Sequence, residues 1–339
     1  YSENFIIIDN EYNALAPNSF GNFEISTILI GTSFSKSNEN ISDTFDDFQN
    51  NRLVIAKRLA VLNGDVTGDT DEFGFPIGFG KNNQSVLIPA FVSAYSGKSP
   101  ESISLNAISK TPLPSWSISY SGLMNFDFIK ERFKRFSLGH AYRSSYTLNN
   151  FKSNLEYNPD HTQLTDDSGN FINEFLYTNV NLVEQFNPLL KVDMELNNSL
   201  QIVMSLKKDR ALSLSLDNNL LTESSGTDYS IGFGYRIKDL KFTNRVGGKR
   251  RVSKGDLNIK TDLNFRDNIT IIRNLNILDN KVTAGQTMWS LKTSADYNLS
   301  KSFNAIFFYD HLFSKFAIST AFPMTTIRAG MTLRYSFGE

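Results

Sequence analysis

Met288-Trp-Ser-Leu-Lys-Thr-Ser-Ala-Asp-Tyr-Asn-Leu299 alternates without a break. One set of positions reads Trp289, Leu291, Thr293, Ala295, Tyr297, Leu299, and the other reads Met288, Ser290, Lys292, Ser294, Asp296, Asn298. Successive strand side chains point to opposite faces, so this stretch reads as a strand with one apolar and one polar face. Three more stretches repeat the pattern. Leu257, Ile259, Thr261, Leu263 and Phe265 oppose Asn258, Lys260, Asp262, Asn264 and Arg266. Tyr229, Ile231, Phe233, Tyr235 and Ile237 oppose Ser230, Gly232, Gly234, Arg236 and Lys238. At the C-terminus Ile327, Ala329, Met331, Leu333, Tyr335 and Phe337 oppose Arg328, Gly330, Thr332, Arg334 and Ser336.

A soluble sandwich also alternates, but its strands average about 5–6 residues, whereas these run about 10–13. At about 3.3 Å per residue and a tilt of about 45°, twelve residues project to roughly 28 Å, close to the hydrocarbon thickness of a bilayer. The expected fold is therefore all-β, a transmembrane antiparallel β-barrel. Tyr229, Phe233, Leu263, Phe265, Trp289, Leu291, Tyr297, Leu333, Tyr335 and Phe337 are expected to face lipid, with the aromatics near the interfaces. Arg236, Lys260, Asp262, Arg266, Lys292, Asp296, Arg328 and Arg334 are expected to face a hydrated lumen.

Composition agrees with this by what it removes. The 339 residues carry 34 Lys plus Arg against 35 Asp plus Glu, which takes away the electrostatic case for a nucleic-acid partner. Zero Cys excludes disulfide scaffolds, thiolate metal sites and cysteine nucleophiles. The longest apolar runs, Ala305–Tyr309 and Val86–Val92, fall far short of the roughly 18–20 residues of a membrane helix. Tyr1 follows no charged-then-apolar leader, so the chain is expected to be processed or a fragment. A mean hydropathy of -0.28 is what two opposed faces average to.

Turn signals divide the C-terminal two-thirds. Short breaks are expected near Leu299–Ser300, Asp267–Asn268, Asp239 and Asn197–Ser199. Longer ones are expected at Ser314–Thr325, Asp279–Gly285, Val246–Lys254 and Asn218–Thr227. Alternating short and long connections suit periplasmic turns and extracellular loops. Leu200 to Leu216 must then be one strand despite Lys207, Lys208, Asp209 and Arg210. Further strands are expected at Ser115–Leu123, Phe136–Leu148, Phe151–Tyr157 and about Thr178–Leu196.

The first third divides into a strand region, 1–42, and a long segment, 43–112, ahead of the strands of 113–339. Phe23–Phe34 reads as one strand, with part of another at Phe5–Ile8. Phe45, Phe48, Ile55, Leu59 and Leu62 follow helical spacing. A Gly- and Asp-rich loop covers 63–83, an apolar segment follows at Val86–Tyr95, and Ser99-Pro100-Glu101 has the form of a helix start. So long a segment is expected to fold into the lumen or to form a docking element.

Several blocks resemble the SprA/Sov family, the outer-membrane translocon of the type IX secretion system of Bacteroidota. They are Gln84-Ser-Val-Leu-Ile-Pro-Ala-Phe-Val-Ser-Ala-Tyr-Ser-Gly-Lys98, Ser104-Leu-Asn106 and Pro112-Leu-Pro-Ser-Trp116, together with Phe136-Ser-Leu-Gly-His-Ala-Tyr-Arg-Ser-Ser-Tyr146 and Phe322-Pro-Met-Thr-Thr-Ile-Arg-Ala-Gly-Met331. The resemblance runs from about Phe20 to the C-terminus. It implies the C-terminal portion of a barrel of about 36 strands, with residues 43–112 as a partly helical insertion. It also implies export of folded cargo through a wide pore, a PorV-type accessory barrel over a lateral opening, and a periplasmic plug protein. Outer-membrane lipid and lipopolysaccharide would surround it. The alternative is a self-contained porin-like channel for small solutes.

No enzymatic activity, cofactor or metal is expected. His140, His161 and His311 are the only histidines, and adjacent strand residues Asp310 and His311 point to opposite faces, which rules out a relay between them. Asp65, Asp69, Asp71 and Glu72 lack the spacing of an EF-hand and read as solvated loop acid. Gly78-Phe-Gly80 has no dinucleotide-binding context. Gly247-Gly-Lys-Arg-Arg251 reads as an extracellular loop tip, with lipopolysaccharide phosphate as an alternative contact.

Overall fold

The period-two stretches fold as long strands of one antiparallel sheet. The structure, a computed structural model, describes residues 5–8, 11–14, 19–64, 68–246, 249–277, 279–300, 303–318 and 322–337. A small hairpin, β1 (Phe5–Ile8) and β2 (Glu11–Ala14), precedes β3 (Phe20–Ser26). Two helices follow, α1 (Asp43–Leu62) and α2 (Gln84–Ser96). The remaining strands are β4 (Trp116–Tyr120), β5 (Phe133–Ser153), β6 (Phe175–Leu176), β7 (Asn179–Leu196), β8 (Leu200–Ser215), β9 (Leu220–Val246), β10 (Lys249–Asn274), β11 (Asn280–Ser300), β12 (Phe303–Phe316) and β13 (Met324–Tyr335). The sheet has 11 strands in the order β13-β12-β11-β10-β9-β8-β7-β5-β3, with β4 and β6 also pairing β5. Among the described residues it is open, with β13 at one edge and β3 and β4 sharing the other edge of β5. Among the described residues no helix is long and apolar enough to cross a membrane.

Strands run longer than the turn signals imply, because three apparent breaks are not turns. Asp267 and Asn268 lie mid-ladder in β10, opposite Thr227 and Gly226 on one side and Thr287 and Gln286 on the other. Asp239 has φ +53 and sits at a register shift facing Asp256, which is a bulge. Asn150, φ +51, marks a second bulge, so Phe136–Leu148 and Phe151–Ser153 belong to the single strand β5, while the rest of the expected strand, 154–157, is a turn in which the Tyr157 amide donates to the Asn154 carbonyl. Asp and Asn tolerate left-handed backbone, so bulge and turn look alike in sequence. Leu200–Ser215 is one strand, as its parity requires.

Two further expectations fail in the first third. Phe23–Phe34 is not one strand: β3 ends at Ser26, and Ile30–Thr32 is a 3₁₀ turn. The Tyr142 hydroxyl accepts a 2.8 Å hydrogen bond from the Leu29 amide and draws the chain off the ladder. Ser99-Pro100-Glu101 opens only a turn, in which the Ser102 and Ile103 amides both donate to the Ser99 carbonyl. No apolar periodic run follows that could pay for a helix by burial.

The connections separate the two ends of the sheet. The β7–β8, β9–β10 and β11–β12 connections lie at one end, and the β8–β9, β10–β11 and β12–β13 connections at the other. The stretch 246–254, expected to be a long loop, is therefore mostly strand and belongs to the short-turn end. Both helices pack at the long-loop end. α1 begins on an N-cap, Ser42, whose side chain accepts from the Phe45 amide, with Asp43 and Asp46 in its first turn. α2 runs from the Asn83 cap to Gly97, at φ +69, and buries Pro89 in its interior. Phe45, Phe48 and Ile55 of α1 and Leu87, Ile88, Phe91 and Tyr95 of α2 form one core with Tyr146, Leu148, Val180, Leu182, Leu212, Leu214, Leu221 and Leu275 of the sheet.

Candidate membrane belt and polar wall

Register assembles the alternating strands into two faces. Tyr229 lies opposite Phe265, Phe265 opposite Trp289, and Trp289 opposite Phe313, so four neighbouring strands contribute one aromatic row. The Tyr229 and Phe265 rings are 6.2 Å apart, and Trp289 and Phe313 stack at 6.0 Å. Toward the short-turn end the same face carries Ile231, Leu263 and Leu291, then Phe233, Thr261, Thr293 and Tyr309, then Tyr235, Ile259, Phe307 and Met331. It closes on Leu333 and on the Phe303–Tyr335 pair, rings 6.3 Å apart. From Phe303 to Phe313 is roughly 34 Å along the strand, or about 26 Å at a tilt of about 40°, the height of the apolar band of a membrane barrel.

Beyond the aromatic row, toward the long-loop end, this face turns polar at Thr227, Asp267, Thr287 and Lys315. Past that lie Glu223, Leu221, Ile271 and Arg273, buried under the helices. The helical layer thus covers the same face that carries the exposed aromatics, above a polar row. Of the expected lipid-facing residues, Tyr229, Phe233, Leu263, Phe265, Trp289, Leu291, Leu333 and Tyr335 share this face. Tyr297 shares it too but is only 8% exposed, and its hydroxyl donates to the Leu240 carbonyl at 3.0 Å. Phe337 lies past the end of β13, with its ring 4.9 Å from Tyr335.

The opposite face holds every residue expected to line a lumen. Asp262, Lys292, Asp310 and Arg328 form a single register row of alternating sign across β10 to β13. Its outer members, Asp310 and Arg328, pair at 2.9 Å. Arg266 reaches to 3.9 Å of both Asp209 and Asp228. Glycine makes this reach possible. A Cβ at Gly226 would stand 2.9 Å from the Asp209 carboxylate, and one at Gly232 would stand 2.8 Å from that of Asp262. Arg236 holds Asp256 through two contacts, at 2.5 and 3.2 Å. Lys260, Asp296 and Arg334 lie on the same polar face by register.

Two buried ion pairs fasten the segment before α1 to the sheet, and no sequence pattern announced them. Arg210 donates to Glu184 at 3.1 Å and to the Thr32 carbonyl at 3.0 Å, while Glu184 also accepts from Ser33 and Tyr142. Arg273, with no exposed surface, donates to Glu223, Ser37 and the Asn38 carbonyl. Within the helical layer, burial against Phe48 lowers the Arg52 guanidinium to about 10. Burial also pushes the Tyr95 phenol well above its ordinary range, with the Glu223 charge adding to it.

The histidines do not assemble into chemistry. His140 Nδ1 meets the Leu189 carbonyl at 2.7 Å, His161 lies in the loop after β5, and His311 stands edge-on to Trp289 on the aromatic face, away from Asp310. Asp71 is occupied in accepting from the Phe73 and Phe75 amides, and Asp65 lies outside the described residues. Among the described residues no cluster of acids and histidines could hold a metal. Gly78, at φ +86, lies under the Phe171 ring and its carbonyl accepts a hydrogen bond from the Phe171 amide, which ties the 158–174 loop to the helical layer. Neither a family model nor a curated protein matches the chain.

Proposed function

We propose that this chain is a section of the wall of a large bacterial outer-membrane barrel that conducts folded proteins, as the likeness of its quoted blocks to type IX translocons implies. The observation that carries the membrane part is the in-register row Tyr229–Phe265–Trp289–Phe313 above an apolar band of bilayer height. Lipid cannot satisfy an open strand edge, so β13 must meet another strand to sit in a membrane. Its twelve residues are almost wholly exposed, and among the described residues no strand pairs beyond Arg328, which ends a charge row there. The edge itself could be met by another strand of this chain or of a neighbour; the likeness of the quoted blocks is what favours a wall larger than a self-contained porin-like channel. The polar face would line the conduit. The helical layer would sit outside the wall, above the outer aromatic row, where it suits docking of a PorV-type barrel better than occupation of the lumen.

Electron microscopy of the detergent-extracted assembly tests this reading. A closed ring of about 12–16 strands built from this chain alone would overturn it. Facing is tested by depth. Phe233→Arg, near mid-band, is expected to cost about 2–4 kcal/mol of membrane stability, and Leu291→Arg, one row from the interface, distinctly less. Lys292→Gln on the polar face should be neutral, whereas Lys292→Glu would place a third acid between Asp262 and Asp310. Equal heat-modifiability of all four folded barrels would reject the facing.

A further inference from the structure

α2 does not lie flush against the segment 98–113 that leads from it to β4. Between them is a cavity of about 350 Å³, within the range of small-molecule sites, about 300–1,000 Å³. Its walls are Ile88 and Val92 of α2, Ile25 of β3, Tyr146 of β5, and Ile103 and Leu113 of the segment itself. Ile88, Ile103 and Tyr146 are buried. Fixed backbone spans the space. The Tyr146 hydroxyl donates to the Ala107 carbonyl at 2.7 Å, and the Leu113 amide donates to the Ser26 carbonyl at 3.0 Å. Arg58 of α1 donates to the Pro100 and Ile103 carbonyls. These ties hold the segment away from α2, so the cavity belongs to the fold.

Its polar groups say what could fill it. Lys98 is the only charged side chain of the lining, and it is exposed, at the rim. Several of the others are already engaged with the local backbone. The Ser102 hydroxyl donates to the Ser99 carbonyl, the Ser104 hydroxyl accepts from the Asn106 amide, and the Asn106 carboxamide oxygen accepts from the Ile108 amide. The apolar walls are best covered by hydrocarbon, which removes their surface from water. The ammonium at the rim is best met by an anion, and no acidic side chain lines the cavity to supply one.

We propose that this cavity binds an aliphatic carboxylate of medium chain length, with its tail between Ile88 and Tyr146 and its carboxylate at Lys98. An aliphatic ammonium would fill the same walls but would meet Lys98 with like charge. The bound carboxylate would brace α2 against the segment 98–113, and binding to the folded layer alone would stabilise it by mass action. The cavity lies wholly within the helical layer and the ends of β3 and β5. The assignment therefore does not rest on which face of the sheet meets lipid.

The test uses the full chain in neutral detergent and octanoate carrying a terminal diazirine, with photolabelled residues mapped by mass spectrometry. Labelling at 88–92 and 102–113 should saturate with concentration and be competed by plain octanoate. Labelling of the apolar band of the sheet, where octanoate merely partitions, should rise linearly. Octylammonium should compete poorly at the cavity. Lys98→Glu should weaken octanoate about threefold or more and reverse that preference, because an exposed charge pair contributes little but its sign decides which amphiphile is favoured. Val92→Trp and Ala107→Leu fill the space from opposite walls, and each should abolish the saturable labelling. Slow hydrogen exchange around Phe48 reports that the layer is still folded, so either variant that keeps it is decisive. Saturable labelling that survives in such a variant, or labelling at 88–92 and 102–113 that never saturates, would refute the site. Equal competition by octanoate and octylammonium would refute the carboxylate. Barrel closure and lipid facing enter none of these readouts, so their failure is distinct from that of the membrane reading.

Discussion

Glu223→Leu is expected to loosen the helical layer by about 3–5 kcal/mol, the range for a buried ion pair that loses one partner. Arg273 has no exposed surface, and its guanidinium sits over the Phe45 ring at 5.5 Å, so the orphaned charge has no route to water. Its remaining partners, the Ser37 hydroxyl and the Asn38 carbonyl, are neutral. Ser37 would also lose the carboxylate it donates to at 2.7 Å. The double variant Glu223→Leu with Arg273→Met should recover most of the loss, because an apolar pair of similar volume removes both desolvation costs. Hydrogen exchange should report the change in α1 and in the segment joining β3 to α1, while the β9–β10 ladder near Phe265 stays protected. A double variant as unstable as the single would show that the pair holds the layer by attraction rather than by avoiding an orphaned charge.

Much of the sheet was legible because period-two alternation survives any error in where a strand ends. Trp289 to Leu299 and Leu257 to Phe265 needed only parity to sort their residues onto faces, and register agrees with that sorting. Strand ends were less legible. Asp239, Asn150 and Asp267 carry turn chemistry, but the first two are bulges and the third belongs to a polar row across four strands. A row is a property of register between strands, which one strand's sequence does not hold. For the same reason the aromatic row was visible only as scattered residues. α2 was hidden by Pro89, although Asn83 and Gly97 bracket it with good caps; its burial outweighs the missing hydrogen bond. Glu184, Arg210, Glu223 and Arg273 stood in alternating strands where charge suggests solvent, and only the overlying helices explain them.

Phe91→Ala should cost about 3–5 kcal/mol, since Phe91 is fully buried and its ring is shared between both helices and the sheet. It meets Phe48 of α1 at 5.8 Å, edge to face, and Tyr95 at 5.2 Å, so the cavity would open where α1, α2 and the strands converge. Two independent fastenings hold the layer: this core, and the ion pairs at Arg210 and Arg273. Their contributions should add only in part, because Arg210 lies 5.9 Å from the Tyr95 ring and Arg273 lies over Phe45 in the same core. The sheet has no such dependence, since each of its ladders from β7 to β13 is complete without the helices. Phe91→Ala should therefore release α1 and α2 while the apolar band stays folded, and limited proteolysis should cut at 68–83 before any strand. The uncovered residues Leu212, Leu214 and Leu221 would extend the exposed apolar face past the polar row, so the variant should also aggregate at lower protein concentration. If the sheet instead unfolds together with the helices, the two layers are one cooperative unit, and the helical layer is a foundation of the wall rather than an attachment to it.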